Sequence, residues 1–198
     1  MLVIGITGLT GSGKTTFLRA VEAKGGAVLD CDRLYADMVR EDAPMRKALT
    51  DAFGTVFFPT GELDRKTLAQ KVFSNPTELD KLNQIVYLHL GERVRQMLSQ
   101  STAWLFAIDA VNLIQSGLAN LCTVTVGVTA PAQVRLARIV ARDGISETDA
   151  QKRMDAQPND VFFHENCTYI LQNDASSQAE FEAKAQTLLD TIIKENGT

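Results

Sequence analysis

An α/β fold with a parallel sheet covered by helices on both faces is predicted for this 198-residue chain, on two observations. Short apolar, strand-like runs alternate with helical patterns, which calls for parallel strands joined by crossover helices. The first of those runs (Leu2, Val3, Ile4, Ile6) leads straight into Gly8-Leu9-Thr10-Gly11-Ser12-Gly13-Lys14-Thr15, which meets G-x-x-x-x-G-K-[ST] at every fixed position. In such a loop, glycines allow positive φ, so that successive N–H groups turn inward and cradle a β-phosphate. Lys14 reaches the β/γ oxygens, the Thr15 hydroxyl can ligate Mg²⁺, and the following helix adds the positive end of its dipole. Gly11, Ser12, Gly13, Lys14, Thr15 and Thr16 are therefore the expected nucleotide-binding residues. The site belongs at the carboxyl ends of the strands.

The elements follow in order. Phe17, Leu18 and Val21 give one face to a helix over 15–24, which Gly25-Gly26 stops. Ala27-Val28-Leu29 suits a buried parallel strand with an acidic carboxyl end, Asp30-Cys31-Asp32. Helices are expected over 32–40, 43–53 and 64–73, with a turn at 57–61. Pro76-Thr77-Glu78 opens a longer helix towards Leu98, its apolar face being Leu79, Leu82, Ile85, Val86 and Leu90. Strands return at 104–109 and 122–128, with room for a short helix over 110–120. Between Pro131 and Gln157 the pattern is helix, Gly144 break, helix, the second piece capped by Ser146 with Asp149 three residues on. Tyr169 to Leu171 reads as a last strand, and Phe181, Ala185, Leu188, Leu189 and Ile192 as a closing amphipathic helix. By residue type, Trp104, Phe57 and Phe58 are expected in the core, while Phe162 and Phe163 fit either core or a pocket wall.

Bulk properties narrow the class. An apolar share of 45% and a charged share of 22% describe a soluble globular chain, and a net charge of −4 gives no reason to expect nucleic acid as a partner. The first apolar run lacks the basic flank of a signal peptide, and no segment approaches the length of a membrane span. Three cysteines, Cys31, Cys122 and Cys167, without metal-type spacing, read as reduced thiols of a cytoplasmic protein. His89 and His164 have no assigned role, and no zinc site is expected.

Three constellations lie beyond the loop. Of Asp30 and Asp32, one carboxylate could accept an acceptor hydroxyl's proton and the other hold a Mg²⁺-bound water; the plain alternative is that Asp32 only caps a helix. Asp109, closing an apolar run, stands where a Walker-B-type aspartate helps hold Mg²⁺, or is simply a turn residue. Arg135, Arg138 and Arg142 share one helical face that could close over a transferring phosphate, with Arg153 joining them. The competing reading is a solvated face, countered by Asp143, Glu147, Asp149 and Asp155.

Taken together, these residues resemble the dephospho-CoA kinase family. Thr7-Gly8 through Lys14-Thr15-Thr16 is similar to its TG-x-x-GSGK[ST]T loop, and Asp30-Cys31-Asp32 to its D-x-D element. Leu63-Asp64-Arg65 with Val72-Phe73, and Leu82-Asn83-x-Ile85, are similar to its LDR…VF and LN-x-I stretches. Arg138-x-x-x-Arg142-Asp143-Gly144-Ile145-Ser146 followed by Arg153-x-x-x-Gln157 is similar to its lid motif, and Asn173 stands where the family closes its last strand with asparagine.

The resemblance implies a P-loop NTPase-type three-layer fold with a five-stranded parallel sheet, a helical acceptor-binding insertion and a helical lid. As one kinase domain over 1–198, the core would be 1–40, 101–132 and 166–198, the acceptor-binding region 41–100 and the lid 133–165. The implied reaction moves the ATP γ-phosphoryl group to the 3′-hydroxyl of dephospho-CoA, giving coenzyme A. Asp32 would be the general base, Lys14 would neutralise the phosphates, and Arg142 with Arg138 would clamp from the lid. Thr15 would hold Mg²⁺, with Asp30 through water and Asp109 added as candidates by their places at strand ends and not by the resemblance. The departures from the family cluster on the acceptor side: Tyr87-Leu88 for His-Pro, Val111-Asn112 for Pro-Leu, Gln115 for glutamate, Phe163 for lysine, Thr168 for aspartate. They keep open a kinase of the same fold acting on another small hydroxyl compound. A non-catalytic ATP-binding protein is the third reading.

Overall fold

The structure, a computed structural model, describes residues 1–197. Two compact units are present: Met1–Leu29 with the chain from Thr102 onward, and Asp30–Ser101.

The first unit holds a five-stranded sheet in the order β2-β3-β1-β4-β5, formed by β1 (Leu2–Gly8), β2 (Ala27–Asp30), β3 (Leu105–Asp109), β4 (Val124–Thr129) and β5 (Tyr169–Gln172). All seven residues of β1 are buried, as a central strand covered on both faces should be. It pairs in parallel with β3, Ile6 opposite Asp109, and with β4, Gly8 opposite Val128; β4 pairs in parallel with β5. Against one face pack α1 (Lys14–Ala23) and α9 (Gln178–Asn196). Phe17, Val21, Phe181, Ala185 and Leu189 meet Ile4, Ile6, Ala107 and Val126 there in one apolar cluster. The other face is covered by the segment after β3, with Leu113 and a 3₁₀ turn at Leu118–Leu121, and by α8 (Asp160–Asn166).

Two further helices follow β4. In α6 (Ala132–Asp143) and α7 (Glu147–Asp155), Ile139, Ala150 and Met154 form a small separate core. The left-handed residue between them is Gly144, at φ 65°. The Ser146 hydroxyl accepts from Asp149 N–H, capping α7 as expected, and donates to the Asp149 carboxylate, which returns to the hydroxyl and not to the backbone N–H as in a full capping box.

The second unit is four helices, α2 (Cys31–Glu41), α3 (Ala43–Phe53), α4 (Arg65–Val72) and α5 (Pro76–Gln100), capped by Asp30, Asp42, Asp64 and Asn75. The expected turn at 57–61 is a small hairpin bridged at Phe57 and Leu63. Arg46 fastens it, donating to the carbonyls of Val39 (2.6 Å) and Gly61 (2.8 Å) while its guanidinium lies 4.1 Å over the Phe57 ring.

Several expectations are corrected. Trp104 and Phe58 are about half exposed, at 49% and 48%. Trp104 precedes β3 and stands outside the sheet, and Phe58 sits at the hairpin tip. Residue type decided those assignments, whereas position decides burial. The helix α8 was not foreseen, because seven residues offer no apolar repeat. Phe163 is core, 3% exposed, with its Cβ 3.1 Å from where a Cβ on Gly127 would stand. Phe163 thus packs on β4 and does not belong with the acceptor-side departures. Thr168 likewise bonds with Thr125: its N–H donates to Thr125 Oγ1 at 2.9 Å, and its hydroxyl accepts from Thr125 N–H at 3.2 Å.

Candidate active site

The loop after β1 is shaped by hydrogen bonds from its own backbone at its start. Leu9 N–H donates to Val128 at 3.2 Å, extending the β1–β4 pairing, and Ser12 N–H donates back to Leu9 at 3.1 Å, closing a turn. Thr10 N–H donates to Oε1 of Gln157 at 2.8 Å. Gly11 and Gly13 have φ of 78° and 104°, a region that penalises any side chain. Space forbids one too. A Cβ on Gly11 would lie 2.9 Å from the Arg135 carbonyl, and one on Gly13 2.7 Å from Asn173 Nδ2.

Beyond Gly13, α1 begins with no side-chain cap and no acidic residue in its first turn. Its leading N–H groups and positive dipole end therefore suit an anion. Lys14 Nζ donates to the Gly8 carbonyl at 3.2 Å, bridging the loop's two ends. Thr15 is exposed at the same place. Ser12 Oγ is buried with no hydrogen-bond partner among the described residues. Asn173, at the end of β5, donates from Nδ2 to the Ser12 carbonyl at 2.8 Å.

The three arginines of α6 have separate environments. Arg135 is 8% exposed, and its Nε and Nη1 have no hydrogen-bond partner among the described residues. Burial pushes its guanidinium below the usual value, and the Asp160 charge opposes that shift. Arg138 donates from Nη1 to the carbonyls of Gly11 (3.2 Å) and Ser12 (3.4 Å), so it touches the loop itself. Arg142 forks onto Asp143, Nε to Oδ1 at 2.7 Å and Nη2 to Oδ2 at 3.0 Å, and Arg153 joins the same carboxylate at 2.7 Å. That grip holds Asp143 below the usual carboxylate range and raises Arg142. One helix thus places a buried cation, a loop contact and a surface ion pair along a single face.

Asp109 ends β3 beside Ile6 of β1, two residues before Gly8, and is partly buried. Within the second unit, Asp30 and Asp32 open α2. The capping residue is Asp30, not Asp32: its Oδ1 accepts from Asp32 N–H (2.9 Å) and Arg33 N–H (3.0 Å). Asp32 lies in the first turn and is exposed. No group of three or more His, Cys, Asp or Glu able to hold a metal occurs among the described residues. The donors around the loop are hydroxyl and carboxylate oxygens. They fit Mg²⁺, a hard cation usually held by one or two protein groups, water and substrate phosphates.

Reading the sequence did not find the Gln157 and Asn173 contacts. The signal for both was position: Asn173 directly follows β5 at the carboxyl edge of the sheet, and Gln157 falls in the corner between α7 and α8.

A phosphate loop on β1, the 2-3-1-4-5 strand order and the helices on both faces define a P-loop kinase fold. It is shared with a shikimate kinase from Acinetobacter baumannii (TM-score 0.54, 16% identity, 100% of this chain and 96% of that one). The dephospho-CoA kinase family matches residues 2–179, and the chain belongs to that family. Among similar proteins, the dephospho-CoA kinase of Thermobifida fusca is 33% identical over 194 residues, 97% of this chain and 96% of that protein. That of Streptomyces avermitilis is 38% identical over 159 residues, 79% of this chain and 78% of that protein. A solved Thermus thermophilus structure superposes with a TM-score of 0.80 at 30% identity, covering 100% of this chain and 98% of that one. The chain is therefore a kinase, with ATP as its substrate and a small molecule as acceptor. Among the described residues, no helix is long and apolar enough to cross a membrane.

Proposed function

We propose that this chain transfers the γ-phosphoryl group of ATP to the 3′-hydroxyl of dephospho-CoA, yielding coenzyme A and ADP. The observation behind this reading is membership of the family over residues 2–179, which spans loop, D-x-D element and the α6–α7 motif alike. In the reaction the 3′-oxygen bonds to Pγ while the bond from Pγ to the β,γ-bridging oxygen breaks, and ADP leaves with that electron pair. The acceptor proton passes to the Asp32 carboxylate as general base. Lys14 and the N–H groups of Gly11 to Thr16 hold the phosphates, and Arg138 and Arg142 close from α6 as the charge spreads. Mg²⁺ would bind to Thr15 and Asp109, with Asp30 reaching it through water, and would neutralise phosphate charge. Residues 133–165 serve as the lid and 41–100 bind the acceptor.

The test is a coupled assay with ATP, Mg²⁺ and dephospho-CoA, with product position read by nuclear magnetic resonance. Turnover to the 3′-phosphate is expected; none above background would overturn the reading. A second acceptor is favoured only by the altered surface. Leu88 is 59% exposed and Val111 38%, and both depart from the pattern of the resemblance. A panel of small hydroxyl compounds, run beside dephospho-CoA, separates the two.

A further inference from the structure

The Leu9–Thr10 peptide plane in the phosphate loop is held at both edges. Its carbonyl accepts from Ser12 N–H at 3.1 Å, an internal turn. Its N–H donates to Gln157 Oε1 at 2.8 Å, across 147 residues of sequence. Thr10 is only partly exposed, so without Gln157 this N–H would be left short of a partner or would rotate to find one. Rotation would carry the Leu9 carbonyl with it, since the peptide group is planar. The turn that places Ser12 and the glycine N–H groups after it would then open.

Gln157 is well placed to prevent this. Its own N–H is tied to the Met154 carbonyl at 3.1 Å, Pro158 follows with a fixed φ, and Asn159 caps α8 by accepting from Phe162 N–H at 3.1 Å. The side chain thus projects from a stiff corner and not from a loose loop. From α6, Arg138 bonds two later carbonyls of the loop, those of Gly11 and Ser12. Three consecutive loop residues are in this way fastened to the α6–α7 pair and its exit.

We propose that Gln157 is a positioning residue for nucleotide binding: by accepting from Thr10 N–H it sets the loop's turn, making docking of the α6–α7 pair and ordering of the phosphate cradle one event. The idea rests on the kinase reading above for its ligand but not on the identity of the acceptor.

Three variants test it. Gln157→Ala removes the acceptor, Gln157→Leu removes it at nearly constant volume, and Gln157→Glu keeps an acceptor oxygen. Hydrogen exchange, ATP dissociation constants and steady-state kinetics are measured on each full-length chain. For Ala and Leu, exchange at Thr10 should accelerate about tenfold, and the ATP Kd and KM should rise by about the same factor, the scale of one hydrogen bond. The KM for dephospho-CoA and exchange in β4 should be unchanged, and kcat should fall less than KM for ATP rises. Glu should restore slow exchange at Thr10 even where its charge repels the triphosphate. Wild-type ATP affinity in both Ala and Leu would overturn the proposal. So would weakened ATP binding with Thr10 exchange unaltered, because the effect would then bypass the peptide. Should dephospho-CoA fail as acceptor, exchange and ATP binding still report on Gln157 alone.

Discussion

Asn173 Nδ2 serves two neighbours in the phosphate loop: it donates to the Ser12 carbonyl at 2.8 Å and stands 2.7 Å from where Gly13 would carry a Cβ. The same contact that steadies the loop therefore forbids a side chain in it. Gly13→Ala should push a methyl into Asn173 and into Phe181, whose ring would be 3.0 Å away, at a φ of 104°. ATP binding should weaken at least tenfold. Gly144→Ala is the control, with positive φ but nothing within 4 Å, and should cost only about 1 kcal/mol of stability, leaving ATP affinity intact. Asn173→Ala should cost about 1–3 kcal/mol by denaturant titration, because the Ser12 carbonyl keeps only the long bond from Arg138.

Lys14 and Asp32 should separate by kinetics. Lys14→Ala removes the ammonium that spans the loop and should slow turnover roughly a hundredfold or more, with weaker ATP binding. Asp32→Asn keeps the side chain's shape without a base, so kcat should fall about a hundredfold or more while the ATP Kd moves less than about threefold. Calorimetry for binding and the coupled assay for turnover measure the two effects. Normal turnover in the asparagine variant would show that another group takes the proton.

Acid should lower the chain's stability modestly through identifiable surface carboxylates, whose contacts are screened by solvent. The Thr67 hydroxyl lowers Asp64, the bond from Arg142 lowers Asp143, Ser146 lowers Asp149, Lys184 lowers Asp174 and Ser176 lowers Glu180. Each pKa lies below its unfolded value, so the unfolded chain binds more protons in that window. Their stabilisation is complete above the ordinary carboxylate range of about 4 and is lost as pH falls through the lower folded values. Melting temperature should be level for these groups near neutrality and drop below about pH 4. Asp143→Asn should flatten part of that fall.

How far the sequence could be read follows from which signals are periodic. The loop, five strands and the long helices were legible because apolar spacing and glycine stops repeat over many residues. The face shared by Arg135, Arg138 and Arg142 was legible for the same reason. Their three different surroundings were not, because they depend on how α6 runs past Gly11, a contact between residues far apart in the chain. The plain reading puts the cap on Asp32, whereas Asp30 caps α2, because helix boundaries shift by a residue or two. The Gln157 bond follows from the corner at Pro158 and from no local pattern at all.

The phosphate loop also has a timetable. Its residues precede nearly everything that shapes them: its geometry depends on Val128, Arg138, Gln157 and Asn173, the last of them 161 residues beyond Ser12. Such long closures are formed late and slowly in folding. A nascent chain ending before β5 would have every loop residue and still lack part of the scaffold that shapes the cradle. Competence to hold nucleotide therefore waits until synthesis has passed β5, long after the loop itself has been made.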